Sequence, residues 1–206
     1  TITGCKNALV TAPSIISTLT SSPYNLPIIE DLRDKFSNKM QVYEYLYKYY
    51  YPELTHKVLF GLDPAAVKGA LRDYIVATNA AVIWLDPRIS SERSLLNNFL
   101  SKMPPNSAYM GWWPEEYSGV AAASEYGVLT VPSDWSINLT VFGGGSRTIN
   151  VKPTPSKPPL QNKIYLCFIM SDGDNLQYME HRFWDLWNSP DRGSVPLGWT
   201  LPPSMV

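Results

Sequence analysis

The chain has 206 residues, enough for one large domain or two small ones, and its 45% hydrophobic and 13% aromatic composition excludes a disordered chain. Lys and Arg total 17 against 18 Asp and Glu, so we expect no nucleic-acid partner. Its 2 cysteines cannot build a disulfide scaffold, and no apolar run approaches the roughly 20 residues of a membrane span.

The first two thirds of the chain predict an α/β domain. Residues 14–19 predict a short helix, and the spacing of apolar and aromatic residues predicts a longer one over 38–51. Strands are predicted at 57–62, 80–85, 107–113 and 128–131, and helices at 64–78, 91–103 and 115–126. Short apolar strands alternating with helices are typical of a Rossmann-like parallel sheet with helices on both faces. We assign this α/β unit to residues 1–151.

The next two segments predict turns and a domain boundary. The glycine-rich segment 141–146 precedes an alternating stretch, 147–151, and not a helix. It therefore predicts a turn between edge strands, because a phosphate-binding loop needs a helix N-terminus. Residues 152–159 hold four prolines, which predict a stiff linker over 152–162.

Residues 163–206 predict the start of a second unit. The apolar run 163–170 predicts a strand buried on both faces, with Cys167 as a core thiol. A helix is predicted from the Asp174 region to Trp187, and a second strand over 195–201. Strand, helix, strand is how a barrel or a doubly wound sheet begins, and such a unit alone cannot close a core.

Polar side chains follow the first strand of this second unit. Asp172, Asp174 and Asn175 stand where βα folds carry reactive groups, and the second strand brings Trp199 and Thr200 to the same edge. Two carboxylates in different environments suit general acid–base chemistry. Alternatively, Asp174 caps the following helix and Asp172 binds turn amides. A further alternative is that the oxygens of Asp172, Asp174 and Asn175 hold a divalent metal ion. The ligand spacing does not support it, because Leu176 stands where a calcium loop needs a ligand, and we therefore expect no cofactor.

A second candidate feature is the segment Gly111-Trp112-Trp113-Pro114-Glu115-Glu116. Trp112 and Trp113 are candidates for stacking on sugar rings, and Glu116 for binding hydroxyl groups. Alternatively, Pro114 and the two glutamates form an ordinary helix start. His181 is expected to face solvent, since it lies opposite the apolar stripe of its helix.

The sequence contains one glycosylation sequon, Asn138-Leu139-Thr140. We therefore expect Asn138 to carry a glycan, and the chain to be secreted or extracellular.

Several segments together resemble the glycoside-hydrolase-like family named for a Gly-x-Gly-Tyr-x-Tyr-Pro motif. The resemblance covers roughly residues 30–206. It is carried by Gly111-Trp112-Trp113, Glu116, Gly119-Val120, Ser124, Gly127, Asp134, Asn138-Leu139-Thr140, the segment 171–178, Arg192-Gly193 and the segment 196–200.

The resemblance implies that α/β domains precede a barrel similar to those of glycoside hydrolases and polysaccharide deacetylases. The segment 171–175 would end the first barrel strand, making Asp172 and Asp174 candidate catalytic residues, with Asn175, Trp199 and Thr200 lining the site. The sequence contains neither the Gly-x-Gly-Tyr-x-Tyr-Pro motif nor the His-x-x-x-His metal motif of such deacetylases. We therefore expect a partial chain that ends inside the barrel.

The resulting functional expectation is a carbohydrate-active hydrolase, glycoside hydrolase-like or deacetylase-like, with carbohydrate as its partner. The remaining chain, or another protein chain, is expected to cover the open edge of the barrel. The alternative is a non-catalytic extracellular protein that binds glycans or self-assembles.

Overall fold

A computed structural model describes residues 13–66, 69–143, 148, 150, 153, 156–170 and 175–200. The helices are α1 (Ile16–Thr20), α2 (Lys39–Tyr49), α3 (Arg72–Ala77), α4 (Ser90–Leu100), α5 (Glu116–Ser124), α6 (Leu139–Phe142), α7 (Asn175–Glu180) and α8 (Arg182–Trp187). The strands are β1 (Val58–Gly61), β2 (Ala81–Ile83), β3 (Ala108–Gly111), β4 (Leu129–Pro132), β5 (Ile169–Met170) and β6 (Gly198–Trp199). Short 3₁₀ turns cover Pro13–Ile15 and Tyr51–Glu53.

The first unit is an α/β fold built on one parallel sheet, as the strand and helix pattern predicts. Its strand order is β2-β1-β3-β4, and all three pairings are parallel. Gly61 pairs with Ile83 on one side and Gly111 on the other, so the three strands end in register. This order places a topological switch point between β1 and β3, where α/β sheets commonly bind ligands.

Helices cover both faces of this sheet. The first face packs apolar residues of α2, α4 and α5 against the sheet, with Phe99, Leu96 and Tyr109 fully buried. The second face packs α3 and α6, through Ile75 and Leu139, against β1 and β3. The amide of Leu62 and the amide of Trp112 continue the hydrogen-bond ladder past the ends of the strands.

The N-terminus of α2 illustrates how local sequence sets these boundaries. Asn38 is the N-cap, and its side-chain oxygen accepts a hydrogen bond from the amide of Gln41 at 3.1 Å. The Gln41 side chain accepts in turn from the amide of Ser37 at 2.8 Å. The first bond satisfies the Gln41 amide, which the first helical turn leaves unpaired, and the second fixes the chain just before the N-cap.

The helix predicted over 64–78 is wrong in its first half. Asp63 does accept hydrogen bonds from the amides of Ala65 and Ala66, but the helix begins only at Arg72. Leu71, immediately before it, is in the left-handed conformation with φ of 56° and donates its amide to the carbonyl of Ser136. A tertiary hydrogen bond thus replaces the helical one that periodicity predicted.

The second unit pairs β5 with β6 in parallel, with α7 and α8 between them along the chain. The strand predicted over 163–170 reduces to Ile169–Met170, and the prediction of burial on both faces is wrong. Ile164 is 88% exposed and Leu166 80% exposed, and Cys167 is an exposed thiol instead of a core thiol. In the described part of the chain β5 has one neighbouring strand, too little structure to cover two faces.

The single helix predicted up to Trp187 is also corrected. The chain breaks at His181, whose φ of −122° and ψ of −85° are not helical, and α8 begins at the next residue. The break changes which side chains share a face. Tyr178, which would share the solvent side with His181 in a continuous helix, has a buried hydroxyl, and its ring centroid lies 5.7 Å from that of Phe183.

The turn predicted at 141–146 begins differently, because Val141 and Phe142 belong to the short helix α6. Residues 144–147, 149 and 151 of this turn and its predicted strand lie outside the described residues.

Candidate active site

The predicted carboxylates belong to the segment 171–174, which connects β5 to α7 in the sequence. β5 ends at Met170 and α7 begins at Asn175, so Asp172 and Asp174 fall at the carboxyl end of a parallel strand in the sequence. Both carboxylates and the Asn175 side chain lie outside the described residues. The structure describes the backbone on either side of this segment.

Thr200 fastens the end of β6 to the end of β5. Its amide donates to the carbonyl of Met170 at 3.2 Å, and its hydroxyl donates to the same oxygen at 2.7 Å. The carbonyl of Met170 therefore accepts two hydrogen bonds from one residue, which holds the carboxyl ends of the two strands together. Thr200 is thus bonded to Met170, the residue that immediately precedes the segment with the two carboxylates.

Trp199 belongs to an aromatic cluster that supports this edge. Its ring centroid lies 5.2 Å from that of Phe183 and 5.6 Å from that of Trp187, both in edge-on geometry. The guanidinium of Arg192 lies 4.3 Å from the Trp187 ring centre. Such contacts favour a rigid platform, because edge-to-face rings and a cation over an aromatic face attract each other.

Glu180, at the end of α7, was not singled out by the sequence patterns. One of its carboxylate oxygens accepts a hydrogen bond from the amide of Ile137 at 3.1 Å and lies 3.7 Å from Nε2 of His181. This contact joins α7 to the segment after β4. The His181 side chain is 52% exposed, as predicted, although it lies at the break and not within a helix. Hydrophobic periodicity gives no signal for this break.

The Trp112–Glu116 segment lies at the carboxyl end of β3, in the other sheet. Trp113 is only 3% exposed, stacks on Tyr109 with centroids 3.5 Å apart, and donates its indole N–H to the Thr130 hydroxyl. This burial leaves Trp113 without an exposed face for a sugar ring. In contrast, Trp112 is half-buried.

The two glutamates of this segment have separate environments. Glu115 is the N-cap of α5 and accepts hydrogen bonds from the amides of Tyr117 and Ser118. The Ser118 side chain and these amides lower the pKa of the Glu115 carboxyl. Glu116 is the exposed first residue of α5. Among the described residues, no hydrogen bond or ring pair joins this segment (Trp112, Trp113 and Glu116) to Trp199 or Thr200.

The sequon begins at Asn138, the N-cap residue of α6, and continues into the first two residues of that helix. Asn138 is exposed, with φ of 56°. The amide and hydroxyl of Thr140 both donate to one oxygen of Asp73, at 2.9 and 2.6 Å. Thr140 therefore joins α6 to α3.

The described part of the chain contains neither a cluster of metal-binding side chains nor a membrane-spanning helix. No three His, Cys, Asp or Glu side chains there are grouped to hold a metal ion. None of the helices described has the length and apolarity that crossing a bilayer requires.

Fold and site together define an α/β protein with parallel strands and polar loops at their carboxyl ends. Two family models match the chain: the GxGYxYP third domain over residues 56–144 and the GxGYxYP putative glycoside hydrolase C-terminal domain over residues 162–206. The chain belongs to the GxGYxYP family.

A solved structure has a similar fold. The chain is similar to a structure described as a putative hydrolase from Bacteroides thetaiotaomicron VPI-5482, with 25% identity and a TM-score of 0.72. The match covers 93% of this chain and 36% of the solved chain, so this chain spans about a third of its relative. No curated protein sequence matches the chain.

Proposed function

We propose that this chain contributes to a carbohydrate-active hydrolase, with Asp172 and Asp174 performing the acid–base or nucleophilic chemistry. The observation that carries the proposal is the double hydrogen bond from Thr200 to Met170, which holds two parallel strand ends beside the loop of the carboxylates. The glycoside hydrolase name of the C-terminal family model and the hydrolase name of the solved relative give the reaction class.

The chemistry needs two carboxyl groups in different states. One, protonated, gives its proton to the oxygen of the leaving sugar, and the other, ionised, acts as the nucleophile or as the base that activates water. Asn175, Trp199 and Thr200 are the proposed substrate-lining residues. Trp199 would offer an aromatic face to a sugar ring, and its packing on Phe183 and Trp187 fixes its orientation.

The C-terminal unit is proposed to be the first strand–helix–strand unit of a barrel similar to those of glycoside hydrolases and deacetylases. Its parallel β5–β6 pairing supports this arrangement. The proposed domain division is an α/β unit over 1–151, a linker over 152–162 and the start of the barrel over 163–206. Further polypeptide of the same or another chain would cover the edge of the barrel.

An extracellular location, with a glycan on Asn138, is part of the same proposal. The exposed position of Asn138 supports it, since a glycan needs a solvent-accessible asparagine. Mass analysis of secreted protein before and after N-glycosidase treatment would test it. An unchanged mass would contradict glycosylation.

The test of the catalytic proposal compares the full-length protein with Asp172→Asn and Asp174→Asn variants. Release of reducing sugar ends and of acetate from polysaccharides would distinguish glycoside hydrolysis from deacetylation. Each substitution is expected to lower the rate by about 10²–10⁴-fold. Asp191→Asn, in an exposed turn of the same unit, is the matched control and should leave the rate unchanged.

Two outcomes would contradict the proposal. Folded Asp172→Asn and Asp174→Asn variants that both retain the full rate would remove these residues from the mechanism. A full-length protein that binds oligosaccharides without cleaving or deacetylating them would favour the non-catalytic, glycan-binding alternative.

A further inference from the structure

Two tryptophans flank β1 at the carboxyl edge of the four-stranded sheet. Trp84 directly follows β2 and Trp112 directly follows β3, the two strands that pair with β1. Because Gly61 pairs with both Ile83 and Gly111, Trp84 and Trp112 lie in the same row, one on each side of Leu62. Two strand spacings separate them, roughly 10 Å.

Neither tryptophan is committed to the core. Their neighbours Ile83, Leu85 and Trp113 are buried in the cluster formed with α2, α4 and α5, whereas neither Trp84 nor Trp112 is part of that cluster or of the one on the other face of the sheet. Both are half-buried. Within the described ranges, neither makes a ring contact or an indole hydrogen bond. Trp113 differs, because its ring is stacked on Tyr109 and its N–H is bonded.

A carboxylate follows the middle residue of this row in the chain. Asp63 follows Leu62 and is half-buried, and its Oδ1 accepts from the amides of Ala65 and Ala66 at 2.7 and 3.3 Å. Its other oxygen, Oδ2, has no hydrogen-bond partner among the described residues. It can therefore accept a hydrogen bond from a ligand.

The charges at this edge favour a neutral ligand. Lys39 is paired with Glu92 at 2.7 Å, and Arg88 with Asp86, which follows β2, at 2.8 Å. Because carboxylates neutralise both cations, they provide little net positive charge to attract a phosphate group. Aromatic faces with a nearby carboxylate suit the C–H faces and hydroxyl groups of a sugar.

We infer that Trp84, Trp112 and Asp63 form a neutral-glycan binding site at the switch point of the α/β sheet, separate from the loop that carries Asp172 and Asp174. The inference shares the carbohydrate class with the proposed function, but it uses different residues, in the other sheet. Its role is to hold a glycan chain by stacking without performing chemistry on it.

The test is titration of the full-length protein with cello-, xylo-, manno- and arabino-oligosaccharides, followed through the tryptophan indole N–H signals in NMR. At least one oligosaccharide is expected to shift the signals of Trp84 and Trp112. Trp84→Ala and Trp112→Ala should each weaken its binding about tenfold, and Asp63→Asn less. Trp84→Phe should retain part of the affinity, because it keeps an aromatic face.

Trp184→Ala is the matched control, since Trp184 is 64% exposed on α8 in the other unit, and it should bind as the wild type does. The inference is overturned if no oligosaccharide moves the two signals, if folded alanine variants bind unchanged, or if ADP moves them and the sugars do not. Asp172→Asn separates the two proposals, because it should lose hydrolysis and keep this binding.

Discussion

Adjacent residues with the same side chain have different environments in this protein. Trp112 and Trp113 are equivalent to any composition or motif argument, and both were candidates for sugar stacking. Trp113 packs into the core, onto Tyr109, whereas Trp112 is half-buried at the edge of the sheet. The sequence could predict that aromatic residues gather at the end of β3, but the direction of each ring depends on the end of the strand at Gly111.

Replacing Trp113 with alanine is expected to lower the free energy of unfolding by about 3–5 kcal/mol, because it empties a fully packed site. Urea denaturation followed by circular dichroism measures the loss. Tyr117→Ala is the control, since Tyr117 is 83% exposed on α5 and its replacement should change stability by less than about 0.5 kcal/mol. Equal effects of the two substitutions would show that Trp113 is not a core residue.

At the scale of elements, the sequence predicts the first sheet well. Strands β1 to β4 and helices α2, α4 and α5 all form where they are predicted, although β4 extends one residue past its range, to Pro132, and α4 begins one residue early, at Ser90. Short buried strands and amphipathic helices have distinct periods, which makes them predictable. The predicted helix boundaries are wrong where tertiary contacts or a backbone break, and not periodicity, set the end of a helix. The bond from Leu71 to Ser136 shortens α3, and the break at His181 divides a helix that periodicity predicts as continuous.

The contact between α3 and α6 depends on Thr140. Thr140→Ala removes the hydroxyl bond to Asp73 and is expected to cost about 1 kcal/mol, while Thr140→Ser should restore most of it. Thermal unfolding of unglycosylated protein measures this. Asn138→Asp removes the sequon but leaves the Thr140 hydroxyl in place. If it destabilises as much as Thr140→Ala, the role assigned to the hydroxyl is wrong.

The N-cap of α5 predicts a pH dependence. The Ser118 side chain and the amides of Ser118 and Tyr117 hold the Glu115 pKa below its ordinary value of 4.5, so the folded state favours the ionised form. The stability from this cap is therefore present above pH 4.5 and is lost as the pH falls through the lowered pKa. Melting temperatures should show wild type above Glu115→Gln at neutral pH, with the difference shrinking in acid. A difference that grows in acid would contradict the cap.

At the scale of the whole molecule, the structure of the first unit is predictable from the sequence to a greater extent than that of the second. The first sheet has a core on each face, and its order follows from alternating strands and helices. In the second unit the exposed side chains of Ile164 and Leu166 show that an apolar run predicts a strand only where other elements cover it. The aromatic support of Trp199 and the link from Glu180 to Ile137 depend on long-range packing that no local pattern records.

The central claim is that strand-end carboxylates perform hydrolysis on a carbohydrate. The most direct measurement is kcat/KM of the full-length protein against pH, for wild type and Asp172→Asn. The account predicts a bell-shaped wild-type profile from an acid and a base, and a variant about 10²–10⁴-fold slower that has lost one limb of the bell. A folded variant that keeps both the rate and the two limbs would contradict it.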